Sequence, residues 1–278
     1  MNLVRSTLSK LSRLKTSSAD LPSTEALEGH LYAQSLAYQC AVQISKELKE
    51  GWTEKQTATL MDTFLRDHGV KSFFHRSFAW FGDHTRFDGY KHYWDFLPSS
   101  RPLMPQDVVI LDTAPIVHGY VGDIGYTLSL HEHAELLEAK KFLKELRELI
   151  PSLFMSSMKT NQIWKKIDLL IKAKGYDNCH SLYPFAVLGH RVHHVPLSRL
   201  PGITIPFGLH AYWALVSRGL FPELLSPEHE GIKDGLWAIE PHLGGEGFGA
   251  KFEEILVVEE GRAHWLSDDV PHMKEALR

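Results

Sequence analysis

The chain has 278 residues, is 44% hydrophobic and carries a formal net charge of −4, with 30 basic against 34 acidic residues. That is enough apolar material for a full core, and the near balance of charge calls for neither a nucleic-acid nor an anionic-membrane partner. Two cysteines, Cys40 and Cys179, cannot build a disulfide framework, and no apolar run approaches the roughly 20 residues that span a bilayer. A reducing, cytoplasmic setting follows as the expectation.

Residues 1–23 carry Arg5, Lys10, Arg13 and Lys15 with no acid before Asp20, and they lack the apolar centre of a secretory signal. They are read as an N-terminal arm rather than a transit peptide, with residues 24–278 forming one domain. From Thr24 to Lys49 the apolar residues Ala33, Leu36, Ala37, Cys40, Ala41, Ile44 and Leu48 recur at helical spacing, and Gly51 closes the segment. Thr53 and Gln56 form a capping box that opens a second helix running to Gly69. Thr160 to Gly175 echoes that helix in length and in its terminal glycine, with Asp62 and Asp168 at similar offsets, which suggests a duplicated half. An amphipathic helix is predicted over Ala134 to Leu149.

Two predicted hairpins carry the acids. Val108 to Leu111 and Gly119 to Leu130 are strand-like, and a tip between Val117 and His118 sets Asp112 opposite Asp123. Near the C-terminus, Leu236–Ile239 and Lys251–Val258 flank a Gly-rich turn, and a tip between Glu246 and Gly247 sets Glu240 opposite Glu253. Opposed carboxylates repel at a Cβ separation of about 5 Å, so a shared cation is the simplest compensation. Solvated hairpin faces are the bland alternative. The chain's 17 histidines add a second theme. His75, His84 and His92 sit in an aromatic stretch, and His190, His193 and His194 form an H-x-x-H-H cluster that, with a carboxylate, makes a competing mononuclear zinc site.

Asp112, Asp123 eleven residues on within GYVGDIGYT, Gly189-His190, Ile239-Glu240-Pro241 and Phe252-Glu253-Glu254 together resemble the pattern of the pita-bread metallopeptidases. That family includes methionine aminopeptidase, Xaa-Pro aminopeptidase and prolidase, and the likeness covers roughly residues 25–268. It implies an α+β fold of two pseudo-symmetric halves around a curved, mainly antiparallel sheet with flanking helices. It also implies two divalent ions (Mn, Co, Fe or Zn) held by Asp112, Asp123, His190, Glu240 and Glu253, with Asp123 and Glu253 bridging. Glu240 would handle the proton, and His193 or His92 would stabilise the oxyanion. No organic cofactor is implied. Hydrolysis of a peptide bond near an N-terminus follows, with Xaa-Pro peptides favoured over initiator methionine.

The chain departs from the pattern in three places. GHRVHHVP is about four residues shorter than the family's segment, His242 stands where the family has Gly, and the 196–234 region is long and apolar. That region fits a cover over the site, a homodimer contact or an extra packed helix. The departures keep three other functions open: a creatinase-like hydrolase acting on a non-peptide C–N bond, an enzyme acting on a pathway-specific small molecule, and a catalytically silent binding module.

Overall fold

The computed structural model describes residues 21–195, 218 and 220–274, so the arm up to residue 20 and most of the apolar stretch at 196–217 lie outside the described residues. The first half opens with helix α1 (Thr24–Glu47), capped by the Ser23 hydroxyl, which accepts from the Ala26 N–H at 3.2 Å. Helix α2 (Glu54–Asp67) begins at the expected capping box: Thr53 Oγ1 accepts from the Gln56 N–H, and Gln56 Oε1 accepts from the Thr53 N–H. Its end is a Schellman motif, with the Gly69 N–H bonded to the Arg66 carbonyl and the Val70 N–H to Leu65.

Strands β1 (Ser72–Phe81), β2 (Val108–Val117), β3 (Tyr120–Val121) and β4 (Ile124–Ser129) form an antiparallel sheet centred on β2. The β2–β3 turn differs from the sequence reading. Its two central residues are His118 and Gly119, both at positive φ (50° and 89°), as the tight turn favoured by hairpin twist requires. The register therefore shifts by two, and Asp112 faces Gly125 instead of Asp123. A two-residue shift keeps every side chain on its own face, so Asp112 and Asp123 stay on one side of the sheet. The strand also breaks at Gly122, where any Cβ would lie 2.2 Å from the Ala33 backbone of α1.

The second half also combines helices with antiparallel strands. Helix α3 (Ala134–Met155) continues past the predicted Leu149 and through Pro151. Pro151 has no N–H to offer the Arg147 carbonyl, and the indole N–H of Trp265 bonds that carbonyl instead at 2.9 Å. Helix α4 (Thr160–Ala173) has Lys159, not Thr160, at its N-cap, and it ends in a second Schellman motif at Gly175. A short strand β5 (Asp177–Asn178) pairs with β9 (His242–Gly245), which pairs in turn with β10 (Phe248–Lys251). A five-stranded antiparallel sheet combines β6 (Gly189–Val192), β7 (Leu224–Leu225), β8 (Gly235–Ile239), β11 (Glu254–Glu259) and β12 (Arg262–Trp265) in the order β12-β11-β8-β6-β7. Here the predicted register holds on either side of the acids: Lys251 faces His242 and Glu254 faces Ile239, while the ladder itself is interrupted at Glu240 and Glu253.

Each half has its own apolar core. Helices α1 and α2 pack on β1, β2 and β4, and helices α3 and α4 pack on the sheet of β8, β11 and β12. Among the described residues the halves meet through backbone hydrogen bonds from the Glu253 N–H to the Gly125 carbonyl at 3.2 Å and from the Val195 N–H to the Gly119 carbonyl at 2.7 Å. Around the first of these, the Gln34 amide oxygen on α1 accepts from the Ile255 N–H, and the Tyr38 hydroxyl donates to the Glu253 carbonyl. No helix among the described residues is long and apolar enough to cross a membrane.

His30 and His180 are two of the four buried histidines among the described residues. Burial lowers His180 to about 3. It lowers His30 to about 4, although the hydrogen bond to the Val121 carbonyl pulls the other way. Both sit below the ordinary 6.5, so their contribution to stability is full above pH 6.5 and is lost as pH falls towards those lower values. We expect the urea midpoint to fall steadily from pH 7 to pH 4, each histidine adding up to about 1.4 kcal/mol per pH unit to the slope. His180→Gln should flatten that slope; an unchanged slope would remove His180 from the account.

Candidate metal centre

Four carboxylates from the two hairpins and two imidazoles converge at the junction between the halves. Asp112 comes from the middle of β2, Asp123 from the break between β3 and β4, His190 from β6, Glu240 from the end of β8 and Glu253 from the link between β10 and β11. Three triads each bring ligand atoms within 4.8 Å of one another: His75–Asp112–Asp123, Asp123–His190–Glu253 and Asp112–Glu240–Glu253. Asp112, Asp123 and Glu253 each belong to two of them. The donor set is imidazole and carboxylate, which suits mid-row divalent ions.

The Asp123 environment tests that fit. Its side chain is fully buried, and Oδ1 lies 3.1 Å from His75 Nε2. Oδ2 is buried with no aligned hydrogen-bond donor, although His190 Nε2 lies 3.2 Å away. A buried carboxylate oxygen in that state is costly unless a cation takes it. In turn, His75 Nδ1 and His190 Nδ1 lie 3.0 and 3.1 Å from the carbonyls of Arg76 and Arg191, which orients each ring with Nε2 towards the acids.

The electrostatics agree. Burial would lower His75, but the charge and hydrogen bond of Asp123, with Asp112 behind it, push it up to about 9. Burial would raise Asp123, yet His75 and His190 hold it well below the usual carboxylate range. Burial raises Glu253, and the neighbouring charges of Asp123 and Glu240 push it further. Glu240 is raised as well, by burial first, against the pull of Lys251. An ion bound here must displace protons held by this cluster.

Two members of the cluster lie outside the ligand set expected from the sequence. His75 is the histidine that β1 delivers, through its pairing of His75 with Ala114 and Phe78 with Asp112 on β2. Lys251 is the other. It is 2% exposed, and its Nζ lies 2.6 Å from Asp112 Oδ2, 2.7 Å from Glu240 Oε2 and 3.0 Å from Glu253 Oε2. Its position two residues before Glu253 was the available signal, since alternate strand residues share a face.

The histidines expected to complete the site lie elsewhere. His92 is exposed and stacks on Trp94, because the Asp95 carboxylate accepts from the N–H groups of Lys91 and His92 and closes a surface turn. His193 Nε2 pairs with Glu223 at 2.5 Å. The cause is strand alternation: His190 faces the carboxylates, so Arg191 and His193 face the other way, and both meet Glu223. His194 reaches the His118 carbonyl, which disperses the H-x-x-H-H cluster among three partners and removes it as a separate zinc site. His84 is spent on the buried Glu54, which also receives the N–H groups of Phe81 and Ser99.

A cavity of about 160 Å³ opens onto the cluster. Its remaining wall is aromatic and aliphatic, with Phe78, Trp80, Phe87, Tyr183, Phe185 and Leu224 prominent. Phe78 stacks on Trp80, and Phe87 meets Trp80 edge to face. His242 supports this wall from behind, taking the Tyr183 hydroxyl on Nδ1 at 2.9 Å and packing edge-on to Phe87. Among the described residues, Tyr183 is the one titratable group lining the cavity that lies outside the cluster.

Comparison with known proteins places this geometry. The model of metallopeptidase family M24 matches residues 28–260. A search of the curated proteins gives no match. Among solved structures, the chain is similar to an X-Pro aminopeptidase from Thermotoga maritima (TM-score 0.68, 16% identity, covering 95% of this chain and 65% of that one). It is similar also to a dipeptidase from Pyrococcus horikoshii (TM-score 0.66, 19% identity, 89% and 61%) and to the prolidase of Pyrococcus furiosus (TM-score 0.64, 18% identity, 88% and 64%). At these identities the likeness is one of fold, and the chain spans less than two-thirds of the length of these proteins.

If the cluster is the metal site, manganese or cobalt at 100 times its dissociation constant stabilises the fold by about 2.7 kcal/mol. A melting curve should then rise by several degrees. Asp123→Asn should abolish the rise, whereas His92→Ala and His193→Ala should keep it. Loss of the rise in either histidine variant would return that histidine to the site.

Proposed function

Because the chain belongs to metallopeptidase family M24, we propose that it is a metal-dependent hydrolase that cleaves a peptide bond near an N-terminus, with Xaa-Pro peptides favoured. The observation that carries this reading is the convergence of Asp112, Asp123, His190, Glu240 and Glu253, with the buried Asp123 Oδ2 lacking an aligned donor. These five residues, with His75 beside them, would hold two divalent ions as the full complement. Divalent ions bound there supply Lewis acidity, polarising the scissile carbonyl and activating water.

The chain's own residues supply the rest. Glu240, raised by burial, is suited to taking a proton from the attacking water and returning it to the departing amine. His75 and His190 are held by backbone carbonyls with Nε2 towards the cluster. The aromatic wall excludes water from the reacting groups and accepts an apolar side chain or a pyrrolidine ring. That wall is what favours Xaa-Pro and large apolar residues over charged ones. It also leaves room for a second reading, hydrolysis of an apolar non-peptide C–N substrate, because the lining supplies no separate counter-charge for a peptide terminus among the described residues.

We infer as well that the two halves arose by duplication. In each, a 14-residue helix ends in a Schellman glycine, and an aspartate ties the helix to the next segment of chain. Asp62 accepts from the Ser77 N–H at 3.1 Å, and Asp168 accepts from the Asn178 amide at 2.8 Å.

A panel of Xaa-Pro dipeptides, longer Xaa-Pro peptides, Xaa-Phe peptides and creatine, run on enzyme loaded with manganese or cobalt, tests the reading. We expect cleavage of prolyl peptides and a fall of about 10²–10⁴-fold in kcat for Glu240→Gln, with little change in KM. Metal-loaded protein that cleaves no peptide would sink the peptidase, and turnover of creatine alone would favour the non-peptide reading.

A further inference from the structure

The Lys251 ammonium stands among the same three carboxylates, Asp112, Glu240 and Glu253, that form one of the three ligand triads. All three of its N–H donors are used, one on each acid, at 2.6–3.0 Å. The surrounding chain is shaped for this pose. A Cβ on Gly125 would fall 2.4 Å from Lys251 Cε, so the bare glycine makes room for the lysine stem. The φ of Gly125 is not positive, which leaves close approach as the reason for glycine at that position. Thr127 clamps the Lys251 backbone from both sides, its Oγ1 donating to the Lys251 carbonyl and accepting from the Lys251 N–H. The Tyr183 ring covers the ammonium at 5.7 Å.

We propose that Lys251 is a resident cation occupying the place of one divalent ion. On this view the chain takes one ion tightly at Asp123–His190–Glu253, beside His75, and takes a second only by driving the ammonium out of the Asp112–Glu240–Glu253 triad. The argument is one of competition for oxygens. A divalent ion in that triad needs lone pairs that now point at Nζ, and a buried ammonium that loses three carboxylates carries a large desolvation cost. Each of the other triads shares only one acid with Lys251, Asp112 in one and Glu253 in the other, and Asp123, whose Oδ2 has no aligned donor, belongs to both. The two ion positions are therefore unequal, and Lys251 sets the difference.

The inference rests on the metallohydrolase reading above, and metal counting separates the two. Manganese binding to metal-free protein is measured by equilibrium dialysis with elemental analysis, and the spin coupling of bound manganese is read by electron paramagnetic resonance. Wild type should bind one ion, with a second at least 100-fold weaker, and should give an uncoupled spectrum at one equivalent. Lys251→Met, which keeps the stem and removes the charge, should bind two ions within about 10-fold of each other and give a coupled spectrum. Lys251→Arg should behave as wild type. Two equally tight ions on wild type overturn the proposal while leaving the metallohydrolase intact, and that measurement stands even if Lys251→Met fails to fold. A Lys251→Met that folds and still binds one ion also overturns it. No manganese on either protein overturns both readings.

Discussion

Four buried carboxylates within a few ångströms of one another are the constraint on which the rest of this structure depends. Asp112, Asp123, Glu240 and Glu253 are each less than a tenth exposed, and left alone their mutual repulsion and lost hydration would cost several kcal/mol per charge. The fold answers by surrounding them with positive partners that arrive from different elements: His75 from β1, His190 from β6 and Lys251 from β10. Two of these contacts, His190 to Asp123 and Lys251 to Asp112, cross between the halves, so the cluster is completed only when the halves dock. One of the backbone contacts between the halves, Gly125 to Glu253, lies on a member of the cluster.

How much of this was legible in the sequence depended on how local the information was. The C-terminal hairpin could be registered correctly because a single Gly-rich turn determines the pairing along both of its strand pairs. The N-terminal hairpin was misplaced by two residues because its turn uses His118 at positive φ, a conformation the residue type does not advertise. The error did not move the acids off their common face, since side chains on a strand alternate with a period of two. Helix α3 was cut short in the sequence reading for a different reason. Pro151 reads as a stop signal, and its cost is offset by Trp265, a residue more than a hundred positions away.

The same contrast separates the site residues that could be found from those that could not. Asp112, Asp123, His190, Glu240 and Glu253 stand in spacings that resemble a family pattern, so they could be named in advance. His75 depends on the pairing of β1 with β2 across a long intervening chain and a bulged register, which no short-range rule supplies. His92 and His193 were the candidates offered by the family pattern, and each was claimed by a nearer carboxylate, Asp95 by way of the backbone and Glu223 directly. Counting histidines in a sequence says little about which carboxylate each will meet.

Adjacent residues of the link into β11 show how alternation divides the work. Glu253 turns into the cluster, whereas Glu254 turns away and is held by a two-point ion pair with Arg147 at 2.6 and 2.8 Å and by His272. Burial would raise Glu254, but His272 and Arg147 lower it, so its charge is neutralised independently of the cluster. Arg147 in turn bonds the Ser267 carbonyl, while the carbonyl of Arg147 itself takes the Trp265 indole, which ties α3 to the end of β12. One glutamate thus anchors the strand to a helix and fixes the direction in which its neighbour must point. Lys251, two residues earlier, shares the inward face by the same rule. The segment that presents Glu253 to the cluster therefore presents a cation beside it, and Gly125 on the opposing strand is the residue whose missing side chain lets both fit.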